Sequence, residues 1–83
     1  MYFVYILFSS KTGKFYIGST DNPESRLKHH NAGSTPSTKS GAPFWEFKYL
    51  EKIPDRSTAL KRELEIKKKK SRKYIEYLIN SVS

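Results

Sequence analysis

Cysteine is absent from the 83 residues. That removes disulfide staples and thiolate zinc sites from the ways this chain can hold a fold, and it points to a reducing compartment, most simply the cytoplasm. Long apolar runs are missing as well. The longest, Tyr2 to Phe8, is far short of the roughly 20 residues a membrane-spanning helix needs, and it has neither the basic leader nor the cleavage site of a signal peptide. The expectation is a soluble, unprocessed chain forming one small domain over residues 1–83, with a modest core. Acidic residues are scarce: eight Asp or Glu stand against sixteen Lys or Arg, for a net charge of +8.

The excess charge is concentrated. Residues 56–73 carry nine Lys or Arg against only Glu63 and Glu65. A dense cationic surface attracts a polyanion by releasing its counterions, so nucleic acid is the expected partner. Lys67, Lys68, Lys69, Lys70, Arg72 and Lys73 are the candidate backbone contacts; the alternative for the lysine run is a solvated helix end complementing the helix dipole. Membrane-surface binding is disfavoured because this basic segment lacks a large aromatic face.

Periodicity and punctuation give the order strand, strand, helix, loop, strand, helix, helix. Tyr2 to Phe8 is β-branched and aromatic on both parities, which predicts a central strand covered on both faces. Ser10 to Gly13 is a turn into a second strand, Lys14 to Ser19, making an antiparallel hairpin. Asn22 caps a short helix that has Pro23 at its first position and Gly33 after its basic end. Ser34 to Pro43 has no periodicity and is expected to be a loop. Phe44 to Ile53 is a third, half-exposed edge strand, with Trp45, Phe47 and Tyr49 expected on one face. A basic helix runs from Arg56 to about Lys70, and Ser71 caps a last helix with Tyr74, Ile75, Leu78 and Ile79 on its apolar face. The fold class is α+β, a small sandwich.

Glu63 stands out on the basic helix. Ala59, Leu60 and Ile66 lie four and three before it and three after it, so it falls inside an apolar stripe, whereas Glu65 falls on the opposite side. A carboxylate placed there is desolvated unless a cation claims it. Glu63 is therefore a candidate metal ligand, with an i,i+4 ion pair to Lys67 as the alternative. Tyr5 and Tyr16 lie on adjacent antiparallel strands and share a face if the hairpin loop has an even number of residues. Arg26 and His30, four apart on a helix, put a fixed cation beside a proton donor or acceptor, for which phosphate is a plausible target. Duller roles exist for each: tyrosines favour strands, Arg26 could pair with Glu24 or Asp21, and His30 could sit at a helix end.

Taken together, Val4-Tyr5-Ile6, Tyr16-Ile17-Gly18, Arg26, His30-Asn31, the Thr38 to Pro43 turn and Ala59 to Glu63 resemble, in order and spacing, the GIY-YIG nuclease family. Val4 stands where the family name has glycine, as in small stand-alone members. The resemblance implies a three-stranded antiparallel sheet flanked by helices and a divalent-metal-dependent endonuclease cutting phosphodiester bonds, with DNA the leading substrate and RNA possible. By that likeness Glu63 holds Mg2+ or Mn2+, Tyr5 and Tyr16 line the site with one of them activating water, Arg26 binds the scissile phosphate and His30 assists. A hard cation that keeps several waters is compatible with a single Glu ligand. Ser19 occupies a position where repair-type members carry lysine, and Asn80 is the one candidate for the asparagine the family places in its last helix. A tyrosine base requires its pKa to fall from about 10. With few side chains left to read base edges, selection should rest on nucleic-acid shape or on a protein partner. The alternatives are a binding module that keeps the scaffold without turnover, and an adaptor docking a protein on an exposed Trp45, Phe47 and Tyr49 face.

Overall fold

A computed structural model describes residues 1–81. The elements in chain order are β1 (Tyr2–Ser9), β2 (Lys14–Thr20), α1 (Pro23–Asn31), a 3-10 helix over Pro36–Gly41, β3 (Trp45–Ile53), α2 (Arg56–Lys69) and α3 (Arg72–Asn80). The sheet is antiparallel with spatial order β2-β1-β3, so β1 is central, β3 is an edge and the α+β architecture is as expected.

Composition explains why β1 takes the middle. Its even residues Val4 and Ile6 pack with Tyr49, Ile53, Ala59, Ile66 and Leu78, beneath α2 and α3. Its odd residues Tyr5 and Leu7 pack with Trp45, Tyr16, Leu27 and Phe47 on the opposite side, where α1 lies. A strand apolar on both parities has no solvated face to offer, and only the central position covers both. Each α-helix starts on the side chain its sequence supplies: Asn22 Oδ1 accepts from Ser25 N–H at 3.2 Å, Asp55 Oδ1 from Thr58 N–H at 2.8 Å, and Ser71 Oγ from Tyr74 N–H at 3.2 Å. Lys70 ends α2 in the left-handed region at φ 47°, a position that usually goes to glycine.

Three expectations change. The segment Ser34 to Pro43 is not featureless, since Pro36–Gly41 forms a 3-10 helix; its order comes from tertiary contacts of Thr38, which leave no periodic trace in the sequence. Leu60 does not belong to the buried stripe of α2 and is 43% exposed, because only the Ala59–Ile66 line meets the sheet. The aromatic row of β3 is split. Ile6 faces Tyr49 while Leu7 faces Phe47, so Lys48 is an extra residue that shifts the alternation by one. Trp45 and Phe47 consequently join the α1 side and Tyr49 the α2 side. With Trp45 and Tyr49 both buried, no exposed aromatic docking face exists there.

Candidate active site

The side chains of interest gather at β2. The hairpin loop Ser10 to Gly13 has four residues between the paired Ser9 and Lys14, an even number, and Tyr5 and Tyr16 do share a face, with ring centroids 6.4 Å apart. Tyr5 is 1% exposed. Gly18 sits opposite it across the ladder, and a Cβ built on Gly18 would lie 2.4 Å from the phenol oxygen. The phenol therefore crosses the sheet through the space a side chain at Gly18 would fill.

There the Tyr5 hydroxyl meets His30 Nε2 at 3.1 Å, and His30 Nδ1 meets Thr38 Oγ1 at 2.7 Å. Both His30 and Thr38 are wholly buried. The Asn31 amide fixes the end of α1 by pairing both ways with the Trp45 backbone, at 2.9 and 2.8 Å, and Trp45 Nε1 donates to the Thr38 carbonyl at 2.8 Å. Arg26, one turn before His30, lies against the Tyr5 hydroxyl. Its Nε is buried without a hydrogen-bond partner, and Arg26 forms none of the ion pairs found among the described residues. Pairing with Glu24 or Asp21 is thus not what holds it.

Glu63 approaches the same region from α2. Ser19 Oγ donates to Glu63 Oε1 at 2.6 Å and Lys67 Nζ to Oε2 at 2.6 Å. The Glu63 side chain is 15% exposed and that of Lys67 44%. The i,i+4 pair anticipated from spacing is therefore present, and Glu63 is half-buried with both oxygens engaged rather than stranded in an apolar stripe.

Burial sets the electrostatics. Burial pushes the Tyr5 phenol above its ordinary 10; Arg26 works against that rise, and the charge of Glu63 adds to it. A fall in the tyrosine pKa, which a phenolate base needs, is not what these residues by themselves produce at Tyr5. Burial likewise lowers His30 from 6.5, and the nearby Arg26 charge lowers it further, so its imidazole is neutral at pH 7.

A cleft of about 390 Å³ opens beside these groups, lined by Tyr2, Ser19, Thr20, Asp21, Arg26, Arg56 and Leu60. A second groove, about 320 Å³, follows β2 toward the hairpin turn between Lys14, Lys67, Lys70 and Arg72. Lys68, Lys70 and Lys73 form no ion pair among the described residues, whereas Arg72 is tied to Glu76 at 3.4 Å and to the Gly13 carbonyl at 3.2 Å. Lys69 Nζ lies 5.3 Å from the Tyr74 ring centroid. Asn80 lines a different cleft with Phe8, Phe15 and Ile79, away from Tyr5, Arg26 and Glu63. Sequence reasoning did not single out Thr38, the spacing role of Gly18 or Arg56 in the cleft. Gly18 and Thr38 left a trace only as members of matched segments, the Tyr16-Ile17-Gly18 tripeptide and the Thr38 to Pro43 turn.

Among the described residues no three His, Cys, Asp or Glu cluster as a metal site. A protein-built cage is therefore absent there. The Glu63 carboxylate, held by the Ser19 hydroxyl at a cleft that Asp21 and Arg26 also line, suits a hard cation whose remaining positions are filled by water and substrate oxygens.

A small α+β protein with an arginine, a part-buried carboxylate and two phenols near one sheet edge has the makings of a phosphate-handling site. Comparison with known proteins supplies the family. The GIY-YIG catalytic domain family matches residues 1–75, and the chain belongs to that family. It is also similar to the structure-specific endonuclease subunit SLX1 of Debaryomyces hansenii, with 42% identity over 69 residues, covering 75% of this chain and 20% of that protein. The chain spans only about a fifth of the relative's length. No solved structure gives a significant match.

Proposed function

We propose that the protein is a divalent-metal-dependent endonuclease that hydrolyses phosphodiester bonds in DNA, selecting its substrate by shape more than by sequence. The observation carrying this reading is Arg26: a buried, unpartnered Nε beside a cleft shared with Ser19 and Arg56 calls for an anionic guest, since an unpaired buried donor is costly. Phosphate fits the planar donor fork better than a compact ammonium could match.

In this reading Arg26 grips the oxygens of the scissile phosphate and offsets the charge that grows on them. Glu63 holds Mg2+ or Mn2+, and Lys67 leaves the carboxylate to make room. When bound, the ion supplies Lewis-acid charge and a more acidic water. Tyr16, half-buried where Tyr5 is sealed, is the phenol that water can reach, and it takes the contact to the attacking water. Tyr5 and His30 hold Arg26 in place from behind. Ser19 fixes the Glu63 carboxylate by its hydroxyl. Lys14, Lys67, Lys70 and Arg72 line a path along β2 for the nucleic-acid backbone, with Lys68, Lys69 and Lys73 adding to the cationic surface. Similarity to the Debaryomyces hansenii protein, a structure-specific endonuclease subunit, supports shape selection and a protein partner that helps to confer it.

Labelled single-stranded, duplex, flap and branched DNA, with RNA counterparts, incubated with Mg2+, Mn2+ or chelator, tests the proposal. Metal-dependent cleavage by the parent and its loss in Glu63→Gln, with fold and salt-sensitive binding kept, is the expected result. Equal cleavage by both proteins removes Glu63 from the mechanism. The second reading, a binding module without turnover, draws on the engagement of both Glu63 oxygens by Ser19 and Lys67. It predicts binding with no cleavage under any of these ions.

A further inference from the structure

We infer that Thr38 is a positioning residue for the site: its hydroxyl locks the buried His30 in the Nδ1–H tautomer, so that Nε2 accepts the Tyr5 proton and the Tyr5 oxygen is turned to receive Arg26. The inference rests on the proposed phosphate-binding role of Arg26.

The direction of the chain follows from what each group is able to do. Thr38 Oγ1 gives its hydrogen to the Thr35 carbonyl at 3.4 Å, a group that only accepts, so toward His30 the hydroxyl oxygen acts as acceptor. The buried Tyr5 O–H then has His30 Nε2 as the acceptor within reach, at 3.1 Å. If Nε2 carried its own hydrogen, a bare Nδ1 would face the Thr38 oxygen and the Tyr5 O–H would be left unpaired in a buried setting. A neutral His30 accepting at Nε2 carries its hydrogen on Nδ1, which donates to Thr38 Oγ1 at 2.7 Å. The result is one head-to-tail chain, Tyr5 to His30 to Thr38 to Thr35, in which no buried donor meets a donor. The lowered affinity of His30 for a second proton agrees with it, because an imidazolium would reverse the first link.

Thr38 is itself held. Its carbonyl takes the Trp45 indole N–H at 2.8 Å, and its N–H bonds the Thr35 carbonyl at 3.1 Å. The 3-10 segment Pro36–Gly41 thereby acquires a purpose that its sequence does not advertise. It presents one hydroxyl, at a fixed point, to the rear of the histidine, and which nitrogen of an imidazole carries the proton is set by the partner of the other nitrogen.

Nitrogen-15 NMR of the imidazole rings reads the tautomer directly, with exposed His29 as an internal comparison. In the parent, His30 should show a protonated Nδ1 and a bare Nε2 at pH 7. Thr38→Val, which keeps the shape and removes the acceptor, should shift His30 toward the Nε2–H form and lower kcat about fivefold, the factor of one ordinary hydrogen bond. Thr38→Ser should restore both. A parent His30 protonated at Nε2 overturns the inference, as does a Thr38→Val protein with the parental tautomer and parental kcat. If Thr38→Val fails to fold, the parent and Thr38→Ser spectra decide: a shared Nδ1–H form upholds the inference and a changed tautomer in the serine variant overturns it. Absence of cleavage in the parent would count against the nuclease proposal alone, since the NMR readout needs no turnover.

Discussion

Gly18→Ala tests the geometry of the site at the position with the least room. The backbone there is not in the left-handed region, so alanine brings no conformational strain of its own; the conflict is entirely with Tyr5, whose oxygen and Cζ would lie 2.4 and 2.6 Å from the new Cβ. Ordinary carbon contacts begin near 3.4 Å, so the phenol must withdraw by about 1 Å, comparable to the misplacement that costs a catalytic site about 10²-fold in rate. Tyr5 has little freedom to yield, being buried and bonded to His30. Overpacking of this kind costs about 1–3 kcal/mol. Urea unfolding, followed by the fluorescence of the one tryptophan, Trp45, should move its midpoint down by about 1 M or more for a small domain with an m-value near 1 kcal/mol/M. Cleavage of the best substrate should fall about 100-fold. A variant within about 0.5 kcal/mol of the parent that cuts at the parental rate would refute the assignment of Gly18 as the space that admits Tyr5.

The Lys67–Glu63 pair predicts that Lys67→Ala frees the carboxylate. Calorimetric Mn2+ affinity should rise up to about fivefold, within the worth of a partly exposed ion pair; unchanged or weaker binding would show that Lys67 does not compete with the ion. His30 predicts a pH dependence of stability. Its folded pKa lies below the unfolded 6.5, so the unfolded chain binds the extra proton and ΔG of unfolding should decline as pH falls below about 6.5. The slope should vanish in His30→Gln if the imidazole causes it, and persistence of the slope in that variant assigns it elsewhere.

How much of this was legible in the chain depended on whether the information was local. β1 announced its central place because Tyr2 to Phe8 is apolar on both parities, and Asn22 and Ser71 announced two helix starts through side chains that cap within three residues. The shared face of Tyr5 and Tyr16 followed from a loop length. That Arg26 and His30 share a face followed from helical spacing, whereas their meeting with Tyr5 was implied by the family resemblance alone. What escaped was set by contacts distant in sequence: Thr38 gains its role from His30 and Trp45, and the short helix around it has no periodicity of its own. Leu60 was misplaced because a stripe read from spacing is wider than the line of α2 that touches the sheet. The bulge at Lys48 could not be read from β3 at all, since it is a property of the pairing with β1. Glu63 lay between the two readings, a half-buried carboxylate that keeps its lysine.

That extra residue in β3 makes one strand wallpaper two rooms. Pairing β3 with β1 in strict alternation while Lys48 stays in the ladder would put Trp45 and Phe47 on the face of Tyr49, the α2 side, stripping aromatic lining from Tyr5 while Tyr49 and Ile53 stay where they are. The constraint is consequently on pairing more than on identity: many residues can occupy position 48 with its side chain in solvent, provided the residue stays out of the ladder, and deleting it would regularise the strand while leaving Trp45, Phe47 and Tyr49 on the faces they hold.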